Sequence, residues 1–471
     1  MLNKKTHIHF MGIGGIGMCG IAKVLRERGY HVSGCDLDMD QKSVKQLQEL
    51  GCSIAGTHCS ALCLDPSIDV LVCTSAVNLN HQEILHAHRR KVTVVSRARM
   101  LAELMRPYYN ITVAGAHGKT TTTTMISHIL MHAQRDPSFV IGGFAKNYGV
   151  SARAGSGDFF VAEADESDRS LVQLPATLAV VTNIDREHLD TYKDLDDIVA
   201  TFKQFLNNLP FYGKAILCAD DPVIHDLIPS IPHIKTITYG IEQEADITAR
   251  DIVLGSTGSQ CTIFKHGASL GTLQVSIAGK HMLLNALASL AVSQELEIPF
   301  ETTAQALNTF QGVERRFCYH GTYQGAAVFD DYAHHPNEIS NQLTVARMRA
   351  KGKLIVVFQP HRFTRTYHLW NEFIQTFLVS TIDELIITDI FPASEPAIEN
   401  ITGERLTQAI LEQQPKFTVN YVPLDDQFGS IIQRLQTSAQ SDDLILLLGA
   451  GKIFKIPDKL PGLIRSLRTM V

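Results

Sequence analysis

The stretch "AGAHGKTTTTTMISHIL", Ala114 to Leu130, sets a lysine and five consecutive threonines in front of an apolar-periodic run. Gly115 to Thr120 read GxxGKT, a phosphate loop one glycine short of a full Walker A motif, because Val113 stands where that glycine would be. The β-type residues Ile111 to Ala114 precede the loop and a helix follows, so free backbone amides and the helix dipole favour an anion there. Lys119 suits β- and γ-phosphate oxygens, and the Thr120 hydroxyl suits a bridging Mg²⁺. Threonine is a mediocre helix former, but at a helix N-terminus its hydroxyl can cap free amides or take up phosphate. Downstream, "VAEADESD" brings Glu163, Asp165, Glu166 and Asp168 to the end of an apolar strand. "TNIDREHLDTY" brings Asp185, His188 and Asp190 to the end of the next. Such clusters are often only solvated loop caps, yet two of them after one phosphate loop favour a cation site.

A second glycine loop lies near the start. "GIGGIG", Gly12 to Gly17, satisfies GxGxxG, follows a strand and opens a helix, and Asp36 ends the next strand near the spacing of a ribose-gripping acid. The pattern specifies a diphosphate without saying which one. Packing of helix on strand is the plainer use of the same glycines.

Positioning these loops takes an alternation of strands and helices. "HIHFMGI", "HVSGCD", "DVLVCTSA" and "VTVVSRA" are short β-rich runs with helix-length spacers, which implies a parallel sheet with crossover helices. "MRPYYN" (105–110) reads as a linker, and a second α/β unit runs from "ITVAGAHGKT" to "KAILCAD". After residue 240 the runs "QCTIFKHG" and "TLQVSIAG" suggest antiparallel strands, and "KHMLLNALASLAVSQEL" a helix. The α/β rhythm restarts beyond "GVERRF". The expected fold is α/β in three domains, 1–107, 108–313 and 314–471. The first and last are Rossmann-like, and the middle one is a P-loop-type unit of parallel sheet plus a small antiparallel sheet.

At 471 residues, length alone suggests about three domains. A net charge of −6 argues against a nucleic-acid surface. No apolar run reaches the length of a membrane span, and the apolar N-terminal run, broken by five glycines, reads as a strand and turn rather than a signal peptide. The expectation is a cytoplasmic protein, monomer or dimer, without membrane insertion. Its nine cysteines contain no CxxC pair and read as buried, reduced thiols without a function.

Taken together, "GIGGIGMCGIA", "SRARMLAELMR", "AGAHGKTTTT", "VAEADESD", "HLDTY", "NNLPFYG", "GVERRF", "DDYAHHPNEI" and "FQPHRFTRT" closely resemble the Mur ligases, ATP-dependent amide-forming enzymes of peptidoglycan synthesis, in their order along nearly the whole chain. The resemblance is nearest to members that join L-alanine to UDP-N-acetylmuramate, and it implies those substrates, ATP and two Mg²⁺ ions. It assigns Gly12, Gly14, Gly15, Gly17, Asp36 and Ser75 to the UDP-sugar, so the first diphosphate is UDP rather than NAD. It assigns Gly115, Ala116, His117, Gly118, Lys119, Thr120 and Thr121 to the ATP phosphates, His281 and Asn285 to the adenine, and Asp331 to the ribose. Thr120 and Glu163 would hold one Mg²⁺ and His188 a second. Arg316 would reach the transferred phosphate, with Lys119 and His335 beside it in the chemistry. His361, Arg362 and Arg365 would line the acceptor and amino-acid side. Ala116 stands where many relatives have threonine, and Ser394 replaces a glycine, so that turn should differ locally. Competing readings are the recycling ligase that attaches a whole tripeptide, a folylpolyglutamate synthetase, an NAD-dependent dehydrogenase and a non-catalytic nucleotide-binding regulator. The last two leave the second loop or the paired acid clusters unexplained.

Overall fold

Each of the three α/β stretches folds around its own sheet in a computed structural model that describes residues 5–74, 77–78 and 80–465. The first sheet is parallel throughout, in the order Ser53–Ala55, His31–Cys35, His7–Met11, Val70–Cys73, Thr93–Ser96. His7–Met11 is buried along its whole length, as a central parallel strand covered on both faces must be. The strand order reverses at that strand, and the Gly12–Gly17 loop leaves its carboxyl end at this switch point.

The second sheet has ten strands. Its parallel centre carries Tyr109–Ala114 between Leu178–Val181 and Phe159–Glu163, so the phosphate loop and both acid clusters emerge from adjacent strand ends. The antiparallel strands expected after residue 240 exist, as Ile247–Leu254, Ser259–Lys265 and Ala268–Val275. They continue the same sheet, because Tyr239 and Gly240 pair in parallel with Ile247 and Thr248. The linker read at 105–110 is shorter than expected: Met105 closes a helix and Tyr109 already opens a strand.

The third sheet orders Cys318–Tyr323, Ala326–Asp331, Leu444–Leu448, Leu354–Phe358, Glu384–Ile387 and Thr418–Tyr421, parallel except for the first pair. Its two faces have separate apolar cores, around Phe358 and Phe373 on one side and Val357 and Ile431 on the other. The first two sheets, by contrast, share one continuous core. Gly20 allows this, since a Cβ there would sit 2.9 Å from Val140 Cγ1 across the junction.

Helix Lys119–His132 is buried on nearly every side, with Thr120 to Thr124 all inside. Threonine combines small volume with a hydroxyl that can bond back to its own helix, and Thr124 Oγ1 does so on the Thr120 carbonyl at 2.6 Å. No side chain caps this helix, so the capping role open to the threonines is not used. Among the described residues, no helix is long and apolar enough to cross a membrane.

Candidate active site

Gly118 ends the phosphate loop at φ +80°, and a Cβ there would lie 2.6 Å from Asn285 Oδ1, so both conformation and space demand glycine. Gly115 is as constrained, at φ +138° against the Thr182 hydroxyl. The loop is braced by the next strand end: Asn183 Oδ1 accepts from His117 N at 2.7 Å, and Thr182 Oγ1 donates to the His117 carbonyl at 2.6 Å. Lys119 Nζ folds back onto the carbonyls of Gly115 and Ala116 and pairs with Glu166 Oε1 at 2.8 Å. Burial alone would lower its pKa, but Glu166 and Asp165 outweigh it and raise the ammonium above its ordinary value.

Around this lysine stand two groups of possible cation ligands. Glu166, Glu187 and His188 hold their ligand atoms within 4.8 Å of one another, as do His117, Asp185 and His335. Glu166 Oε2 and Glu187 Oε1 are buried without a hydrogen-bond partner. Burial lowers the His188 pKa and the two glutamates more than restore it, so the net shift is upward. Glu163 is apart from both groups; Gly142 N donates to its Oε1 at 2.9 Å. Burial raises the Glu163 carboxyl, while the Gly142 amide and the Thr120 hydroxyl pull it back.

The starts of two third-domain helices, Pro336–Arg349 and Phe363–His368, meet these groups through ion pairs. Glu338 lies 3.2 Å from His117 Nδ1, and His117 Nε2 lies 3.1 Å from Asp185. Burial works against the charged imidazole, but Asp185 and Glu338 hold the His117 pKa up at about 10. Arg365 reaches Glu187 at 3.3 Å and Arg362 reaches Asp190 at 3.3 Å. Between the middle and third units opens a cavity of about 400 Å³, lined by Gly118, Thr121, His281, Asn285, Arg316 and Glu338 among others. A loop that cradles phosphates at one end of such a cavity has the layout of a nucleotide site.

Three family models match in succession: the Mur ligase family catalytic domain over 7–109, the Mur ligase middle domain over 113–293, and the Mur ligase glutamate ligase domain over 315–451. The UDP-N-acetylmuramate–L-alanine ligase of Syntrophus aciditrophicus (strain SB) is 45% identical over 96% of this chain and 92% of its own. The chain belongs to the Mur ligase family. Among solved structures, the UDP-N-acetylmuramate–alanine ligase of Thermotoga maritima matches with a TM-score of 0.79 at 26% identity, covering 96% of this chain and 98% of that one. The murein peptide ligase of Psychrobacter arcticus shares the fold, at a TM-score of 0.71 and 24% identity over 97% and 98% of the chains.

In this Mur ligase the residues expected at the nucleotide converge unevenly. His117, Gly118, Thr121, His281, Asn285 and Arg316 line the cavity. Burial and the Arg316 charge hold the His281 pKa down at about 4. Asp331 does not line it: its carboxylate accepts from Phe317 N and Ala333 N, both at 2.7 Å, and so fixes the turn that carries Arg316. His335 packs on His117 with ring centroids 4.6 Å apart, and its Nε2 is buried without a partner. Burial and the His117 charge lower its pKa. His361 bonds Arg365 at 3.2 Å, and burial pushes its pKa down.

At the first loop Gly12 turns at φ +70°, which lets Gly12 N and Ile13 N donate to the Cys35 carbonyl at 2.8 and 3.1 Å. Asp36 Oδ2 accepts from Gly14 N at 2.8 Å and Oδ1 from Asp38 N at 3.0 Å. It shapes the loop from within. Gly15 caps the following helix without a side-chain bond, and Gly17 leaves room for Arg97, whose Nη1 would be 3.1 Å from a Cβ there. Ser75 lies outside the described residues.

Sequence reasoning missed Arg97, Glu187 and Glu338. Arg97 reaches from beside the first loop to Asp165 at 3.1 Å, bridging the two phosphate loops' domains. The only signal for it was its place in "SRARML".

Proposed function

We propose that this Mur ligase joins L-alanine to the lactyl carboxylate of UDP-N-acetylmuramate, cleaving ATP to ADP and phosphate in peptidoglycan precursor synthesis. The observation that carries the reading is the placement of Lys119. It pairs with Glu166 of the first acid cluster, and the residues flanking it, Gly118 and Thr121, line the cavity that holds His281, Asn285 and Arg316. The 45% identity to a UDP-N-acetylmuramate–L-alanine ligase over almost the full chain supports the choice of amino acid and sugar.

A carboxylate is a poor electrophile, so its oxygen first takes the γ-phosphoryl group of ATP, and ADP leaves. The amine of alanine then attacks the carbonyl carbon of the acyl phosphate, and phosphate departs as the amide forms. Such transfer depends on positioning and charge neutralisation. Lys119 and Arg316 supply fixed positive charge on the two sides of the phosphates. His281 and Asn285 hold the adenine against the cavity wall. The helix-start amides of Ile16 and Gly17, beyond the internally bonded turn, receive the UDP diphosphate. Arg362 and Arg365 orient the carboxylates on the amino-acid side. The amine must shed a proton, and the neutral, partner-free Nε2 of His335 is suited to accept it.

The donor set fits Mg²⁺. The Thr120 hydroxyl and Glu163 offer hard oxygen ligands at the phosphate loop, and beside His188 stand Glu166, whose Oε2 has no hydrogen-bond partner, and Glu187, which Arg365 pairs. When bound, two Mg²⁺ ions would neutralise phosphate charge. Phosphate release from ATP, Mg²⁺ and UDP-N-acetylmuramate, measured with L-alanine and separately with L-Ala-γ-D-Glu-meso-diaminopimelate, tests the reading. Release with alanine is expected; release only with the tripeptide would make this a recycling ligase.

A further inference from the structure

The first domain contains a second chemical cluster that the ligase reaction does not use. His9, Cys35, Cys63 and Glu83 are all buried, and one ligand atom of each lies within 4.8 Å of the other three. The four come from separate elements: strand His7–Met11, the end of strand His31–Cys35, the loop after Gly56, and the first turn of helix Gln82–Arg89. The cysteines of the chain are all free thiols, and Met11, Leu71 and Ile84 pack around this pair to make a dry shell.

The histidine decides what the cluster is for. His9 is fully buried, and its Nδ1 is taken by Ser33 Oγ at 2.8 Å. Its Nε2 is also buried and has no hydrogen-bond partner. An imidazole fixed through one nitrogen by a neighbouring hydroxyl, with the other left bare, is the arrangement of a metal-bound histidine. The sulfur and carboxylate atoms are also held from behind. Cys35 Sγ lies 3.2 Å from His58 Nδ1, Cys63 Sγ lies 3.2 Å from Ser60 Oγ, and Glu83 accepts from Cys59 N.

We propose that His9, Cys35, Cys63 and Glu83 form a structural zinc site. Two thiolates, one imidazole and one carboxylate are a donor set for Zn²⁺ rather than for Mg²⁺ or Ca²⁺, which prefer oxygen alone. Tetrahedral zinc with bonds of about 2.0–2.3 Å separates its ligands by about 3.3–3.8 Å. Atoms already within 4.8 Å reach that by small side-chain rotations. Four protein ligands leave no open position, so the ion does no chemistry and binds with release of the thiol protons. Its effect is on the glycine loop, because the Cys35 carbonyl receives both Gly12 N and Ile13 N. The thiols that looked idle in the sequence then clamp the strand end that shapes the diphosphate loop.

The test uses the full-length protein, purified without chelator, with metal content measured by plasma mass spectrometry. A single equivalent of zinc per chain is expected, exchangeable for Co²⁺ with intense visible bands and a thiolate-to-cobalt charge-transfer band. That band also separates this site from cation binding at the phosphate loop, which has no thiolate. Cys35→Ser and Cys63→Ser should abolish the band, whereas Cys59→Ser and Cys261→Ser should keep it. Because the first two variants can fail to fold, the Co²⁺ titration of the unaltered chain stands by itself. No charge-transfer band on it, or an intramolecular Cys35–Cys63 disulfide in the freshly purified chain, would overturn the proposal. Loss of the band in Cys59→Ser would overturn this ligand set, since Cys59, His81 and Glu83 form the neighbouring group.

Discussion

Replacing Lys119 by alanine separates two things the lysine does at once. On the function proposed above its ammonium meets the transferred phosphoryl group, and loss of one preorganised charge stabiliser of this kind costs about 10²–10³-fold in kcat, or ~2.7–4 kcal/mol. It also neutralises Glu166, 2.8 Å away and with a side chain only 4% exposed. Stripping the partner from a buried ion pair costs about 3–5 kcal/mol. Here His188, at 3.5 Å, and protonation of the carboxyl take up part of that, leaving ~1–3 kcal/mol. Lys119→Ala should therefore lower both turnover and the urea midpoint. Lys119→Ala combined with Glu166→Gln should regain most of the stability and none of the turnover. UDP-N-acetylmuramate affinity, measured by calorimetry, should stay within about twofold in both variants, since Gly12 to Gly17 belong to another sheet. Recovery of turnover in the double variant would refute the phosphoryl role. Loss of sugar affinity in a folded variant would show that the two loops are not independent.

Other outcomes follow from single features. Burial holds the His128 pKa down at about 4, with Tyr148 Oη at 2.6 Å from Nδ1. The native state then binds fewer protons than the unfolded chain between about pH 6.5 and 4, so stability falls by on the order of 1–3 kcal/mol as pH drops through that window. His128→Gln should flatten that part of a urea-midpoint profile, and an unchanged slope would mean that other groups dominate. Ser394 sits at φ +70°, so Ser394→Gly should raise stability by about 0.5–1 kcal/mol, read by thermal unfolding. Arg365→Ala leaves Glu187 buried beside His188 and should weaken the contact between middle and third domains by roughly 2–4 kcal/mol. Small-angle scattering with both substrates should then report a more open particle than the unaltered chain gives; identical profiles would count against closure.

The glycine loops were legible because they are local: the turn and the helix start are written within six residues. The alternation of strands and helices was legible for the same reason. Side chains that act through distant partners were not. Asp36 has the spacing of a ribose acid, and its bond from the Gly14 amide is not visible in that spacing. Asp331 was placed on the ribose by resemblance, and its bonds from Phe317 N and Ala333 N, which fix the turn of Arg316, were not legible. The threonine run suggested caps and phosphate ligands, while all five are buried in the helix. The pairs Arg97–Asp165, Arg365–Glu187 and Glu338–His117 join residues far apart in the chain, and no periodicity records them.

The crossing between the middle and third domains has a mechanical consequence. Val313 bridges to Ala145, and Glu314 N donates to the Phe144 carbonyl at 2.9 Å, so the chain is pinned to the middle sheet up to that point. One residue later, Arg315 belongs to the other body. Its carbonyl receives Tyr332 N at 2.8 Å, and its guanidinium is clasped between the rings of Tyr332 and Phe454. The joint between the two bodies therefore lies at residues 314–316. Arg316 N donates back to the Val313 carbonyl at 3.3 Å, so Arg316 lines the cavity from the joint itself. Arg362 and Arg365 ride further out and meet the middle domain only through ion pairs, so they arrive last. On the function proposed above, a joint so placed would leave Arg316 beside the nucleotide while Arg362 and Arg365 travel with the arm to the amino-acid side.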